Sequence, residues 1–522
     1  MIITATHIKT AELILEETQV TEIIDAILTR NSDHRGRKAT FTTRQFLFLQ
    51  YVCCFAFKNV RVTSFPMVLR SLPAETLLKH GLQRRTSITS MYNYSKRLRN
   101  ATDYTEARTP HLEQSERDWR RDKIDDYVEE LLSCTIYREP EDPKMLSLDA
   151  TDVPIGGRDA SKNSDGTRKH PAKRGKGSKG PCDGATRGKT STKGLNGKSE
   201  FFYGYFAHVL AFTPVAETGN PDRVQVPFFA LATSTADLVE PTLRAIDRVK
   251  KRHEIDEILA DKYYSYLEYE RWWTELNQRN IRQVLDIRDD QQGFMDFDGQ
   301  LIGAAWVHCP ATPLELGEIT GLPPQPTAQQ RMNFTNKIME RFAYAARRQN
   351  TLANGSSQWK CPALAGKVGC PLRGLESIQT ARENGRPIVQ NPPLEEDKPA
   401  MCCNDTVLIT PRTAQQKILF KTSQRRYWGS KDWQETYKLR GSIERFFGHA
   451  KVHHGLVPEA HYFKGLGIAT LCTSISIAST NISKMRKWAS NEDTPPQHPL
   501  LFSTEIDYDY EECEHEHEKL AS

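Results

Sequence analysis

Over residues 1 to about 135 the apolar positions recur at helical intervals, beginning with Leu13, Ile14, Val20, Ile23, Ile24, Ile27 and Leu28. Spacings of three and four place such residues on one face of a helix. A second helix is expected to follow Thr43, whose hydroxyl suits an N-cap, through Phe46, Leu49, Val52 and Cys53. From residue 144 the pattern changes to short β-rich runs: KMLSLDATDVPI, FFYGYFAHVLAFTP, QVPFFALATS, EILADKYY and IRQVLDI. Helical spacing over residues 238–252 and 266–278 falls between them, which predicts an α/β core of about five strands. After Arg288 the regularity gives way to a Gly/Pro-rich stretch that lasts until about residue 430, and helices return from 437 to 488. Residues 465–483 are uncharged and long enough to span a bilayer. Eight of those nineteen residues are Ser, Thr or Asn, and Ile468, Leu471, Ile475 and Ile482 recur at helical spacing, so a buried helix is expected.

The chain has 522 residues, 38% hydrophobic and 26% charged. That is too apolar for a disordered protein and too polar for a membrane protein. The net charge of +5 hides a segregation. Residues 158–199 hold twelve Lys/Arg against three Asp, while 491–522 hold ten Asp/Glu against one Lys. The basic stretch, rich in Gly, Ser and Thr, reads as a mobile loop suited to a phosphate backbone. The acidic segment, within 489–522, reads as a disordered tail. Eleven cysteines, an odd number and sparse for the length, fit reduced thiols. With no basic N-terminal segment leading into an apolar core, a cytoplasmic protein is expected.

Three segments carry candidate chemistry. In RRTSITSMYNYSKRLRN, residues 84–100, Arg84, Arg85, Lys96, Arg97 and Arg99 accompany Tyr92 and Tyr94, a composition suited to a DNA-reading helix or to a solvated face. Asp149 lies inside an apolar run and Asp261 ends another. Strands place carboxylates rigidly, and a buried bare charge is expensive, so something cationic should compensate both. The third segment, YKLRGSIERFFGHAK over 437–451, reads as one helix. With Tyr437 at 0°, Arg440, Glu444 and Lys451 fall at about 300°, 340° and 320°, one narrow polar face. Leu439, Ile443, Phe446 and Ala450 fall opposite as a core-facing stripe. Gly441 and Gly448 land beside the polar group, where a missing side chain lets another backbone approach.

The spacing Tyr437, Arg440, Glu444, Lys451 resembles the Y-x2-R-x3-E-x6-K signature of bacterial insertion-sequence transposases of the DDE type, a pattern expected by chance in well under about one in a hundred such chains. SLDAT with Asp149 looks like the first catalytic strand of that family, ILADKYYSY with Asp261 like the second, and GYFAHVLAF like the strand between them. The resemblance runs from about Met145 to Lys484. It implies an α/β fold with an RNase H-like catalytic core interrupted by a β-rich insertion, and helical N- and C-terminal regions. The implied divisions are a helical DNA-binding region (1–135), the first part of the catalytic domain (144–290, with the basic loop), the insertion (291–430), the helices completing the core (431–488) and the tail.

It also implies that Asp149, Asp261 and Glu444 bind two Mg²⁺ ions, for which Mn²⁺ substitutes, and that Tyr437, Arg440 and Lys451 hold the DNA. The implied activity is cleavage at transposon ends and strand transfer into target DNA. The implied partner is double-stranded DNA, bound by a homodimer, in a bacterial nucleoid-associated protein with no membrane association. Two alternatives stay open: an RNase H-like nuclease without strand transfer, and a DNA-binding repressor that has lost catalysis. One departure concerns Tyr263, where many relatives have a small residue two places after the second Asp.

Lesser signals remain. Asp152, three residues after Asp149, would face the other side of a regular strand and is left out of the site. Asp286 is a reserve carboxylate with a structural role expected. Cys309, Cys361, Cys370 and Cys402 make a candidate tetrahedral zinc set, although the eight residues between Cys361 and Cys370 exceed the usual two to four and favour unligated thiols. His449 and His453 stand four apart but off the catalytic face. Trp306 and Trp359 are candidates for stacking on a displaced base, weighed against the core.

Overall fold

In a computed structural model of the chain, the described residues are 2–30, 41–106, 108–154, 186–193, 199–214, 220–233, 238–297, 300–319, 321–323, 325–352, 355–456, 465–492 and 496–502. The N-terminal part is helical: α1 (Ala5–Glu17), α2 (Val20–Thr29), α3 (Thr43–Phe57), α4 (Phe65–Ser71), α5 (Ala74–Lys79), α6 (Ile88–Thr102) and α7 (Gln114–Ser133). The N-cap of α3 is Thr42 rather than Thr43. Thr42 and Gln45 exchange side-chain and backbone hydrogen bonds across the first turn, a reciprocal cap that satisfies two otherwise orphaned amides. Thr43 instead bonds the Asp25 carboxylate and the Tyr94 hydroxyl.

The central sheet contains β1 (Met145–Pro154), β2 (Thr186–Lys193), β3 (Ser199–Phe212), β4 (Phe228–Thr233), β5 (Glu257–Ala260) and β6 (Arg282–Leu285). The crossover helix α8 (Val239–Lys250) lies between β4 and β5, and the short α9 (Thr274–Gln278) between β5 and β6. The order is β2-β3-β1-β5-β6, with β4 also on β3. β1 runs antiparallel to β3 and parallel to β5, which is parallel to β6. The five expected strands are present, and β2 is a sixth, drawn from inside the stretch read as a mobile loop. The reason lies in β3. β4 pairs only with Tyr205–Leu210, leaving the outer part of β3 with an open edge, and β2 pairs along it from Thr186↔Gly204 to Lys193↔Ser199. Unpaired ladder groups recruit a strand wherever one can reach. The rest of the basic stretch, 158–185 and 194–198, lies outside the described residues, as does 503–522 of the acidic tail.

Helix α7 is tied to α8 by ion pairs: Asp125 with Arg244, Asp126 and Glu129 with Arg248, and Glu129 and Glu130 with Arg252. The N-terminal helices are thereby joined to the flank of the sheet.

After β6 come β7 (Phe294–Phe297), β8 (Gln300–Gly303), β9 (Trp306–His308), α10 (Ala328–Ala343), β10 (Arg347–Thr351), β11 (Ser357–Lys360), α11 (Leu375–Glu383), α12 (Ala400–Cys403), β12 (Thr406–Ile409) and α13 (Ala414–Lys421). The strands form two three-stranded antiparallel sheets. The region is therefore mixed rather than β-rich. α10, at 16 residues, is longer than any of its strands, and it starts on a Thr327/Gln330 reciprocal cap that outweighs the Pro-rich approach. Trp306 and Trp359 are 9% and 1% exposed, so both belong to the core and neither presents a stacking face.

The chain ends in α14 (Lys431–Lys438), α15 (Gly441–His453) and α16 (Leu466–Ala489). Among the described residues α16 is the one single helix long and apolar enough to cross a bilayer, and its most apolar window is 94% buried inside the protein. Several of its polar residues find partners there, among them Thr470 and Thr480 on the carbonyls four residues back. Asn481 accepts from the Val226 amide and donates to the Val226 carbonyl and the Thr135 hydroxyl. A buried amide left unpaired would be costly.

Candidate active site

The parallel registers determine the site. Pairing runs Met145↔Glu257 to Ser147↔Leu259 between β1 and β5, and Glu257↔Arg282 to Ala260↔Leu285 between β5 and β6. Carried on along the strands, the same registers set Asp149, Asp261 and Asp286 level on three neighbouring strands. Level residues on parallel strands share a sheet face. Sequence reasoning held Asp286 in reserve. Its position becomes legible only once the strand pairing is known, because an aspartate beside an apolar run looks alike on every strand.

Asp261 also organises the turn that follows. Its carboxylate accepts the Tyr263 amide at 3.0 Å, and it caps the 3₁₀ turn Lys262–Tyr266. The tyrosine that departs from the family pattern is accommodated because its ring points outward, 50% exposed. Tyr266 is also exposed, with the Arg288 guanidinium 4.5 Å from its ring centroid.

The segment 437–451 is two helices, not one. Leu439 and Arg440 keep helical backbone angles, but their amides bond three residues back, to Thr436 and Tyr437. The turn is thus tightened just before Gly441, and Arg440 becomes the N-cap residue of α15. The stripe expected to face the core does so: Ile443, Phe446 and Ala450 are fully buried, and Leu439 packs against the core. A Cβ at Gly441 or Gly448 would meet nothing within 4 Å, so no described part of the chain approaches there.

Arg440 sits among the carboxylates. Its Nη2 is 2.7 Å from Glu444 Oε1 and its Nη1 is 3.6 Å from Asp149 Oδ2. Burial pushes the Asp149 carboxyl up to about 6; Arg440 pulls against this, while Asp261 and Glu444 add to the rise. Burial likewise raises the Asp261 carboxyl, opposed by Arg440 and two backbone amides and reinforced by Asp286. One guanidinium therefore faces several carboxylates and does not neutralise them. Tyr437 lies with its ring stacked on Trp433, 4.7 Å between centroids, and burial raises its hydroxyl well above the ordinary range. Trp428 donates its indole N–H to Asp286 at 2.9 Å.

Lys451 does not join this group. It pairs with Asp152 at 2.8 Å. Asp152 therefore meets α15 through Lys451, apart from Arg440 and its carboxylates. Past Ser147, β1 is no longer paired to β5 and continues with β3 alone to Pro154, so this stretch has an open edge that Lys451 reaches. His449 and His453 pack ring on ring, and His449 meets His454, which bonds Ser479 of α16. This is a packing role, as expected.

Over residues 84–100, which include most of α6, the basic residues separate. Arg84 folds back onto the Arg70 and Leu72 carbonyls, Arg97 reaches the Leu28 carbonyl, and Arg99 is half-buried. Tyr94 is buried. Arg85 and Lys96 are exposed, and Ile88, Tyr92 and Lys96 stand four apart on one outward stripe.

No family model matches this chain, and no curated protein matches it in sequence. Among the described residues no group of three or more His, Cys, Asp or Glu side chains stands ready to clasp a metal ion.

Proposed function

We propose that this chain is a DDE transposase that cuts the ends of a mobile element and joins them to target DNA, using an RNase H-like core. The observation that carries the reading is the convergence of the signature. The register of parallel β1 and β5, carried two residues past its paired end, sets Asp149 level with Asp261, and Glu444, far away in sequence, is linked to Asp149 through Arg440. The strand order supports the core: antiparallel strands β4, β3 and β1 followed by parallel β5 and β6, with helices at the crossovers.

The residues fit Mg²⁺ or Mn²⁺. Asp149, Asp261 and Glu444 offer hard oxygen donors, and burial, which raises the Asp149 and Asp261 carboxyls, disfavours their bare charge, which a bound cation would offset. When bound, such ions supply Lewis acidity for in-line displacement at phosphorus. Arg440, whose guanidinium can grip a phosphate bidentately, holds the DNA strand beside the carboxylates. Tyr437, fixed by Trp433, shapes the same wall. Lys451 adds a point charge that Asp152 holds in place. Exposed Tyr263 and Tyr266 offer ring faces next to Asp261.

Incubation with labelled element ends, target plasmid and Mg²⁺ tests the proposal. Joined products are expected. Cuts without joining would favour a nuclease, and binding without cuts a repressor. A homodimer is expected on paired ends, read from the mass of the DNA complex.

The outward stripe of α6 is proposed to contact DNA. Lys96→Ala is expected to weaken binding about equally across sequences and to lower the slope of log affinity against log salt by about one. Tyr92→Ala is expected to weaken binding with little change in slope. Unchanged affinity in both variants would remove α6 from the interface.

A further inference from the structure

We propose, on the transposase reading above, that Asp286 is a working carboxylate of the acidic site and that Trp428 is the positioning residue that places it. The register of parallel β5 and β6, carried one residue past Ala260↔Leu285, sets Asp286 level with Asp261. Level residues on neighbouring strands stand about 5 Å apart and share a face. Asp286 is therefore within reach of whatever Asp261 holds.

Three buried polar side chains converge on this strand end. Trp428, only 2% exposed, donates its indole N–H to Asp286 Oδ1 at 2.9 Å. The Gln424 side chain bonds both the amide and the carbonyl of Leu285, each at 3.2 Å. Gln292 donates to the Ile287 carbonyl at 2.9 Å. Leu285 and Ile287 are thus pinned on either side of Asp286, and the carboxylate itself is held by a rigid ring. Such locked support is what a working side chain needs to keep its geometry.

Trp428 is in turn held by α10. Its ring meets Phe334 edge to face at 5.7 Å, and the fully buried Arg341 guanidinium lies 6.0 Å from its centroid. Gln434 of α14 donates to Thr335 of α10 at 3.2 Å. The region between β6 and α14 thereby gains a role, because α10 braces the wall of the acidic site through Trp428.

These bonds leave one oxygen open. The Ile287 amide also donates to Oδ1, at 2.9 Å, so Oδ2 accepts no hydrogen bond among the described residues. Neighbouring carboxylates have cations of their own: Asp289 pairs with Lys262 and Asp290 with Arg288. Asp286 has no such pair among the described residues, and its partners are the two N–H groups. A hard oxygen left open beside Asp261 suits the divalent cation proposed for this site, and the N–H on the other oxygen orients it.

Two measurements test this, one of them without activity. In metal-free full-length protein labelled with fluorotryptophan, the Trp428 resonance is assigned by its loss in Trp428→Phe. Should that variant not fold, the resonance that Asp286→Asn shifts identifies it. Mg²⁺ is expected to move this resonance in the wild type and to leave it in place in Asp286→Asn. In the cleavage assay Trp428→Phe, which keeps a ring and loses the N–H, is expected to raise the Mg²⁺ concentration for half-maximal cutting about tenfold, with end binding unchanged. Asp286→Asn should do at least as much, and the double variant should be no worse than Asp286→Asn alone. Additive effects would show that Trp428 does not act through Asp286. A wild-type chain that cuts nothing would sink the transposase reading and leave the fluorine signal to decide the role of Asp286. A Trp428 resonance indifferent to Mg²⁺, or full cutting by Asp286→Asn at every Mg²⁺ concentration, would overturn the proposal.

Discussion

Asp149→Ala, Asp261→Ala and Glu444→Ala are each expected to reduce Mg²⁺-dependent cleavage at element ends at least about a thousandfold, equivalent to roughly 4 kcal/mol of transition-state stabilisation. End binding should survive. The side chains of Asp149 and Glu444 are 20% and 56% exposed, so neither is a core strut whose loss would unfold the chain. Gel retardation beside a cleavage assay separates the two effects. Cleavage undiminished in any of the three would falsify the assignment. Loss of binding together with cleavage would point to a structural role.

Asp149→Asn is expected to do something the other variants do not: it should stabilise the metal-free chain while removing its activity. The carboxyl is pushed from an ordinary value near 3.8 to about 6 in the folded chain, chiefly by burial. Between those two values the folded state binds more protons than the unfolded one, so stability falls as pH rises through the window. Above it the folded chain carries the full penalty of a poorly solvated charge, roughly 3 kcal/mol for a shift of this size. An amide has no such charge and keeps the shape, and Arg440 retains Glu444 as partner. In chelator near neutral pH the Asn variant should melt above wild type, and the difference should vanish when both are scanned near pH 4. Added Mg²⁺ should raise the wild-type Tm more than the variant's, because a ligand stabilises only the state that binds it. Identical pH dependence in the two proteins would show that Asp149 does not carry this strain.

How far the site was legible varies by residue. The stripe of Ile443, Phe446 and Ala450 could be read from spacing because a helix repeats every 3.6 residues whatever it packs against. The break between Tyr437 and Gly441 could not, since a tightened turn leaves no mark on periodicity. Asp152 was left out of the acidic site by strand alternation, and it pairs with Lys451 instead, a partner that the alternation could not name. Arg84 looked like a DNA contact by composition alone, yet its hydrogen bonds go to the chain's own carbonyls. β2 was read as loop because the basic stretch that holds it is rich in Gly, Ser and Thr and nearly free of large apolar residues. The open edge that recruits it belongs to β3, a different segment of chain.

By itself the sequence determined what depends on neighbours along the chain: the helical N-terminal region, the five main strands of the sheet, the buried polar helix α16, and the residue types and spacing that mark the acidic site. Only the tertiary structure decided what depends on pairing between distant segments. That includes the level row of Asp149, Asp261 and Asp286, the placing of Arg440 among the carboxylates, and the turning of Arg84 and Arg97 onto the chain's own carbonyls. Hydrophobic periodicity is a local property and survives in one dimension. Strand register and charge proximity arise only when the chain closes on itself, and no local pattern encodes them.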